Sequence, residues 1–234
     1  MPETKPSEID LSKRCRNCGS DSTFFRRRYK DVRWNETLVY NKCLHCMVEF
    51  HESLPDPVTF YASGEYRRRA DISDAMATRI TARRARQQVQ WLDRVAQGWR
   101  REAGTVLDVG AYQGIAVMEL RNLGIDAIGY DPDEAEAEKC QYVGSDVSVF
   151  DAGNITMLWM SHVLEHADSA VEMLKRWKPY AEKAFIEVPP GNYQLPHILV
   201  FHMDSFLRTL ELADMGATVI DNGIRAIVEW DNGT

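Results

Sequence analysis

The feature that most constrains this chain is a regular alternation of strand and helix patterns from residue 105 onward. β-Prone runs such as "TVLDVG" and "ITMLWMSH" alternate with amphipathic runs such as "GIAVMELRNLG". Strands that alternate with helices pair in parallel, so this order predicts a Rossmann-like, doubly wound α/β sheet. The closing segment "ATVIDNGIRAIVEW" has the pattern of a hairpin around Asn-Gly. We therefore predict a seven-stranded sheet whose last strand is antiparallel.

Four of the five cysteines form two tight pairs, Cys15/Cys18 and Cys43/Cys46. Four thiolates at this spacing suit tetrahedral zinc, and so short a segment cannot fold on apolar burial alone. The runs "STFFRRRYK" and "TLVYNK" between the pairs predict a β-hairpin. We predict a small zinc-ribbon domain with structural Zn²⁺, because four cysteine ligands leave no open coordination position. A redox pair is the alternative, and the presence of two pairs disfavours it.

Acidic residues stand at the ends of the first three strands of the alternating region. Asp108 is followed by Gly110 and Gly114, Asp131 ends the second strand, and Asp146 lies near the end of the third. Ligands of doubly wound sheets bind at the carboxyl ends of the strands. An acid beside a helix N-terminus suits a cationic ligand better than a pyrophosphate, and a second acid can accept both ribose hydroxyls. The pattern therefore indicates a nucleoside with a positive side chain, and S-adenosyl-L-methionine fits.

The chain also resembles the class I S-adenosylmethionine-dependent methyltransferases. The segments that carry the resemblance are, in order, "VLDVGAYQG", "IGYDPD", "WMSHVLEHADSAVEML" and "IEVPPGNYQLPHILVFHMDSFLRTLELADMGA". The resemblance as a whole covers roughly residues 60–234. The chain departs from the family at Thr156, where an Asp usually opens the fourth strand.

The resemblance implies a cofactor-binding set. Its members are Asp108, Gly110, Ala111, Gly114, Asp131, Pro132, Asp146, Val147, Ser161 and His162. The three acids would lie, in chain order, beside the methionine part, the ribose and the adenine. Ser161 and His162 would line the cofactor near its sulfonium.

Charge and motif positions together predict four segments. Residues 1–101 hold 20 Lys and Arg against 13 Asp and Glu, whereas residues 102–234 hold 8 against 22. Opposite charge suggests parts with different roles. The predicted segments are a flexible tail at 1–14, the zinc-ribbon-like domain at 15–56, a helical linker or lid segment at 57–101, and the S-adenosylmethionine-binding domain at 102–234.

The zinc-ribbon layout resembles the small domain that precedes some sugar methyltransferases of polysaccharide and antibiotic-sugar pathways. The segment "FYASGEYR" resembles their entry segment, which implies that Tyr61 and Tyr66 cover the cofactor or the substrate. The antibiotic-sugar C-methyltransferases carry a further C-terminal domain, and this sequence ends after its last hairpin. We therefore expect O-methylation of a sugar hydroxyl rather than C-methylation.

Transfer to a sugar hydroxyl needs a base or a metal ion, and histidine titrates near neutral pH. His162 and His166 follow the fourth strand, and His197 and His202 follow the fifth, where acceptor sites usually form. Of these four candidates we predict His166 and His197 as catalytic residues, followed by His162. Glu165 could orient one of them.

Two other functions remain open. The basic half, with "FFRRRYK" and "ARRARQQ", would allow an RNA methyltransferase that grips phosphates through its zinc ribbon. A non-catalytic binding scaffold is the third possibility, and the complete glycine loop disfavours it. We expect a small-molecule or glycan partner ahead of nucleic acid.

The sequence contains no run of 18 apolar residues, and its first residues have no apolar signal region. We therefore expect no membrane span and a cytoplasmic location.

Overall fold

A computed structural model describes most of the chain. The described residues are 14–21, 24–31, 36–51, 73–102, 104–149, 154–193, 197–221 and 224–230. Residues 1–13 of the predicted tail, the segment with Tyr61 and Tyr66, and the Asn222-Gly223 turn lie outside them.

The predicted hairpin between the cysteine pairs is present. Strands β1 (Phe24–Asp31) and β2 (Glu36–Cys43) pair antiparallel. Two short strands extend this sheet in the order β1-β2-β3-β9: β3 (Glu49–His51) pairs with β2, and β9 (Leu199–Val200) pairs with β3. Neither β3 nor β9 was predicted. The sheet of the ribbon is thus completed by residues from much later in the chain.

The longest helix among the described residues is α1 (Asp74–Val95), which the apolar spacing of residues 72–97 predicts. The Ser73 hydroxyl accepts the Met76 N–H at 3.3 Å, which satisfies one of the free amides at the helix start. Ala85, Val89 and Leu92, which are four and three residues apart, form the apolar stripe of this helix and are buried.

The alternating region follows the predicted order. Its elements are α2 (Trp99–Glu102), β4 (Thr105–Val109), α3 (Ile115–Asn122), β5 (Ala127–Tyr130), α4 (Glu134–Ala137), β6 (Val143–Gly144), β7 (Ile155–Ser161), α5 (Ala170–Trp177), β8 (Lys183–Glu187), α6 (Met203–Leu212), β10 (Gly216–Asp221) and β11 (Arg225–Glu229). The sheet has seven strands in the order β10-β11-β8-β7-β4-β5-β6, with its last strands antiparallel. The predicted Rossmann-like α/β class is confirmed.

The register of the parallel strands sets the geometry of their ends. Asp108 of β4 stands opposite Gly129 of β5 and Trp159 of β7. Strand β7 is almost wholly buried without alternation, as expected for a sheet covered on both faces.

A proline is favoured at the first position of a helix, so the segment "PDEAEAEKCQ" predicts that this helix starts at Pro132, but α4 starts two residues later. Asp133 rather than the residue before Pro132 is the N-cap, because its carboxylate accepts the Glu136 N–H at 3.3 Å. Pro132 therefore precedes the helix and is not its first residue.

Helix α5 is capped from two directions. The Ser169 hydroxyl accepts the Glu172 N–H at 3.1 Å, as the predicted capping box requires. Asn17, which lies between Cys15 and Cys18 and is buried, accepts the amides of Ala170 and Val171 at 3.0 and 3.3 Å. The Asn17 amide also donates to the hydroxyl of Thr209 in α6 at 3.0 Å.

The chain forms two compact units. The ribbon unit comprises Met1–Ala70, His162–Arg176 and Glu187–Ala226. The sheet unit comprises Asp71–Ser161, Trp177–Ile186 and Ile227–Thr234. The four-segment division made from the sequence stays a prediction. Among the described residues, none of the helices is both long and apolar enough to cross a membrane.

Candidate functional site

In the sheet unit, β4 ends in a buried acid followed by a left-handed turn. Asp108 is only 4% exposed, and Gly110 and Gly114 have φ angles of 78° and 69°. The amides of Gly110 and Ala111 both donate to the Tyr130 carbonyl, at 2.8 and 2.9 Å. Left-handed backbone is costly for residues with a Cβ, so the loop depends on its glycines.

Close packing is a second reason for the glycines. A Cβ on Gly114 would lie 2.5 Å from the Cys140 sulfur and 2.8 Å from a methyl group of Val143. A Cβ on Gly129 would lie 2.6 Å from that of Ala111. Real Cβ atoms do not approach that closely, so a side chain at either glycine would push the loop away from the next strand.

Asp131 ties the loop to the end of β5. One carboxylate oxygen accepts the Tyr112 N–H at 2.6 Å, and the other accepts the Asp133 N–H at 3.0 Å. Tyr112 has a φ of 50°, unusual for a residue other than glycine. A carboxylate offers about four acceptor positions, so two remain for other donors.

Both buried acids have a raised pKa, and burial is the largest cause for each. Burial, followed by the charge of Asp131, raises the pKa of Asp108 to about 8. Burial also raises the pKa of Asp131, although the Asp133 and Tyr112 amides oppose this. A bound cation would lower both pKa values, because it favours the ionised form of each acid.

Asp146 differs from the other two acids. Its side chain is exposed and accepts the Ser148 N–H at 2.8 Å, which lowers the pKa of Asp146. Val147 begins a single 3₁₀ turn, Val147–Val149, directly after it. The roles of Asp146 and Val147 beside an adenine stay predictions.

Ser161 at the end of β7 is held by a buried residue of α1. The Gln88 side-chain amide donates to the Ser161 hydroxyl at 2.6 Å, and Gln88 is 1% exposed. The contact fixes the hydroxyl at a strand end where ligands of this fold class bind.

In the ribbon unit, His162 lies between two carboxylates. Its Nδ1 is 3.4 Å from Glu165 and its Nε2 is 3.3 Å from Glu187. Only the protonated ring can donate from both nitrogens, so this arrangement favours the imidazolium. Arg225 pairs with the other oxygen of Glu187. Burial would raise the pKa of Glu187, but its bonds with His162 and Arg225 lower it. His162 has a φ of 59°, a strained backbone that is common at functional sites.

Glu165, His166 and His197 form a second cluster in the same unit. Glu165 is 1% exposed, and its Oε1 lies 3.8 Å from the His166 Nε2. The rings of His166 and His197 meet edge to face with centroids 5.0 Å apart. Burial would raise the pKa of Glu165, but the bond from His162 and the charges of the other two histidines lower it to about 2.

His197 is a neutral imidazole at neutral pH. Burial and the nearby charge of His166 lower its pKa to about 4. Its Nδ1 lies 3.0 Å from the Asn192 carbonyl, so Nδ1 carries the proton and the ring's lone pair is on Nε2.

The four cysteines meet as predicted, in the ribbon unit. The sulfurs of Cys15 and Cys46 are 3.6 Å apart, and those of Cys18 and Cys43 are 3.8 Å apart. All four sulfurs lie within 4.8 Å of one another. A zinc ion with four bonds of about 2.3 Å places its sulfurs about 3.8 Å apart, so this cluster can hold a tetrahedral structural zinc.

A methyltransferase-domain family matches the sequence over residues 80–208, more than half of the chain. The chain belongs to this family. The matched stretch contains the loop after β4, Asp131 and all three predicted catalytic histidines, and it confirms the resemblance drawn from the sequence segments. No curated protein sequence matches the chain.

Solved structures of other methyltransferases share the fold. The 1,6-didemethyltoxoflavin-N1-methyltransferase of Burkholderia thailandensis is 14% identical, with a TM-score of 0.52 over 88% of this chain and 99% of that one. The magnesium protoporphyrin IX methyltransferase of Synechocystis is 16% identical, with a TM-score of 0.50 over 76% and 98%. The chain spans only 41% and 39% of two longer structural relatives.

Several residues of this methyltransferase that shape the site were missed from the sequence. Gln88 lies in an amphipathic helix, where one buried amide gives no periodic signal. Gly129 was not singled out because the middle of a strand carries no turn signal. Glu187 was read only as part of a strand, although an acid before two prolines at a strand end was a usable signal.

Proposed function

We propose that this methyltransferase uses S-adenosyl-L-methionine to methylate a small molecule or glycan, and that the acceptor is a sugar hydroxyl of polysaccharide or nucleotide-sugar biosynthesis. The buried pair Asp108 and Asp131 is the observation that carries the proposal. Two buried acids with raised pKa values lie at adjacent strand ends beside a glycine turn. Such a pair gains most from a ligand that combines a positive charge with hydroxyl donors.

Bound S-adenosylmethionine would supply a methyl group on a sulfonium, with a neutral thioether as leaving group. Asp108 would ionise in the presence of that charge, and the free positions of Asp131 would accept the ribose hydroxyls. The tight turn from Gly110 to Gly114 would allow the backbone to approach the ligand. Ser161 would present a hydroxyl fixed by Gln88.

The acceptor oxygen would form a bond to the methyl carbon as the carbon–sulfur bond breaks, and its proton must leave. His166 is our proposed acceptor of that proton. It is partly exposed, whereas His197 is buried with a lowered pKa and His162 lies between two carboxylates. Glu165 would stabilise the imidazolium that forms on His166.

A small acceptor is supported by the kind of substrate named for the structural relatives. By their names, the two relatives described above act on a porphyrin and on a toxoflavin precursor, both small molecules. At this low sequence identity the two relatives support a shared fold only, and the acceptor has to be determined by experiment. The sugar hydroxyl rests on the ribbon layout and on the histidine-rich segments.

The RNA alternative has less support. Two arginines of the basic runs are already paired with acids: Arg27 with Glu49 and Arg86 with Glu119. A paired guanidinium gains less from a phosphate, because the existing ion pair must be exchanged for it.

The test is turnover with S-adenosylmethionine and separate panels of nucleotide sugars, oligosaccharides and RNA oligonucleotides, read as S-adenosylhomocysteine by mass spectrometry. We expect product with a sugar panel, and we expect His166→Asn to lower kcat at least about 100-fold. Partial rescue of that variant by added imidazole would assign the proton transfer. Turnover of RNA alone, lost on a modest rise in salt, would replace the sugar proposal with the RNA one.

A further inference from the structure

Glu165 is a buried anion whose surroundings are incomplete. It is 1% exposed, and neither of its oxygens accepts a well-formed hydrogen bond among the described residues. The nearest donor, Nδ1 of His162, is 3.4 Å away, at the long edge of hydrogen-bonding distance. Burying a carboxylate without good donors is costly unless a cation stands beside it. The histidines around Glu165 therefore offset its charge, but they do not supply its oxygens with short hydrogen bonds.

The groups around Glu165 are metal-ligand types. One oxygen of Glu165 and one ring nitrogen each of His166 and His197 lie within 4.8 Å of one another. Donors on a tetrahedral ion with bonds of about 2.0 to 2.1 Å are about 3.3 Å apart. Small rotations of the three side chains would therefore bring them onto one ion.

The tautomer of His197 suits coordination. Its Nδ1 donates to the Asn192 carbonyl at 3.0 Å, so the lone pair is on Nε2. Metal-binding histidines usually donate their second N–H to a carbonyl or carboxylate in this way, which fixes the ring.

We propose that Glu165, His166 and His197 form a second metal site, which takes a divalent first-row transition ion. Two imidazoles and one carboxylate favour zinc, iron, cobalt or nickel over magnesium or calcium, which prefer oxygen ligands. Unlike the cysteine cluster, this set supplies three protein ligands and leaves a coordination position open. His162, close to Glu165, would act as an outer partner that orients the carboxylate.

An ion at this site would hold the acceptor oxygen and lower the pKa of its hydroxyl, and this role rests on the proposed function. His166 would then be a ligand rather than the base. The metal site itself rests only on the three side chains and their surroundings.

The experiment measures cobalt binding to zinc-loaded protein by titration calorimetry and visible absorption, with neither cofactor nor acceptor present. We expect wild-type protein to bind one cobalt ion beyond its tetrathiolate zinc, with a Kd on the order of 10 μM or tighter. Glu165→Gln should weaken that binding at least about 100-fold, because it removes the only anionic ligand.

His202→Asn is the matched control. His202 also lies near a buried glutamate, with its Nε2 3.9 Å from Glu49, and asparagine keeps its helix-capping position. It should bind cobalt as wild type does. If Glu165→Gln loses its circular dichroism spectrum, His166→Asn takes its place. Absence of a second ion up to about 1 mM cobalt, or equal binding by wild type and Glu165→Gln, would overturn the site.

A separate arm measures turnover with and without the second ion. Cobalt binding with unchanged turnover would support the metal site but contradict its role in removing the acceptor proton. Absence of turnover on every acceptor would count against the proposed function and leave the binding result intact.

Discussion

The cysteine cluster of the ribbon unit and the aspartate pair of the sheet unit both crowd acidic groups into the protein interior, with different outcomes. Hydrogen bonds from the other thiols, together with burial, raise the pKa of Cys15. Burial and Asp131 raise the pKa of Asp108 to about 8. The four cysteine sulfurs lie within 4.8 Å of one another, close enough for one zinc ion to bind them all and offset their negative charge. Asp108 and Asp131 form no ion pair among the described residues. Their charge would be neutralised by a proton or by a cationic ligand.

Burying several acidic groups close together costs free energy in both places. A permanently bound cation turns that cost into a gain in stability, whereas a reversibly bound ligand turns it into a gain in affinity. A permanent cation converts crowded thiols into a fixed cross-link, which makes the fold depend on the metal. Crowded carboxylates without such a cation remain unstable as a charged pair, and a cationic ligand gains affinity by relieving them. The following predictions test this contrast, from the largest effect to the smallest.

Loss of zinc should have the largest effect. We expect Cys43→Ser to lose the bound zinc and to melt at least about 10 °C lower, because structural zinc supplies folding free energy directly. Metal analysis and a thermal melt measure both changes. Cys140→Ser is the control, since Cys140 is buried outside the cluster and should retain zinc. A zinc-free variant with the wild-type melting temperature would show that the thiols need no cation.

Asp108→Asn should weaken S-adenosylmethionine binding about 100-fold, or about 2.7 kcal/mol, because an amide cannot balance a sulfonium. Titration calorimetry gives the dissociation constants. Asp126→Asn is the matched control: Asp126 pairs with Arg121 at the other end of β5 and should leave affinity unchanged. Equal affinities for Asp108→Asn and wild type would show that Asp108 does not contribute to cofactor binding.

The pH dependence of stability should carry the sign of a raised acid pKa. Between about pH 4 and pH 8 the folded state keeps a proton on Asp108 that the unfolded chain has lost, so the contribution of Asp108 to stability falls as pH rises. The slope is at most about 1.4 kcal/mol per pH unit. Urea unfolding at pH 6 and pH 7 should show that the stability of wild type decreases relative to that of Asp108→Asn as pH rises, because the other titrating groups act on both proteins. Parallel stabilities would mean that the pKa of Asp108 is ordinary.

Asn17→Ala should give the smallest effect, a loss of about 1 kcal/mol in the free energy of unfolding, because the first amides of α5 lose their acceptor. Zinc should stay bound, which would show that the loss of stability comes from the lost helix cap and not from lost metal. Asn17→Asp keeps an acceptor oxygen and should retain most of that stability. A loss of zinc in Asn17→Ala would mean that the cap and the cluster are one unit.

The sheet could be predicted because its strands and helices follow simple periods. Strands β3 and β9 could not, because three and two residues are too few to show a period. Their pairing joins Glu49 to Val200, and no local signal connects positions so far apart in the chain.

The candidate site was predicted as a set of residues but not as a set of interactions. The positions of Asp108 and Asp131 at strand ends were visible in the sequence, whereas the exposure of Asp146 and its bond from the Ser148 N–H were not. His166 and Glu165 are neighbours in sequence, but their meeting with His197 depends on how the chain returns after β8. Tertiary contacts, rather than patterns, decide which histidine is buried and neutral.

The capping of α5 by Asn17 couples the cysteine cluster to the rest of its unit. If the segment between Cys15 and Cys18 becomes ordered only when zinc binds, then zinc binding also supplies an acceptor for the first amides of α5 and a donor for Thr209 of α6. Zinc would then contribute to the order of two helices that lie outside the cysteine cluster. Excising the ribbon would therefore remove the cap of α5. Grafting the ribbon onto another protein would leave Asn17 without its partners in α5 and α6.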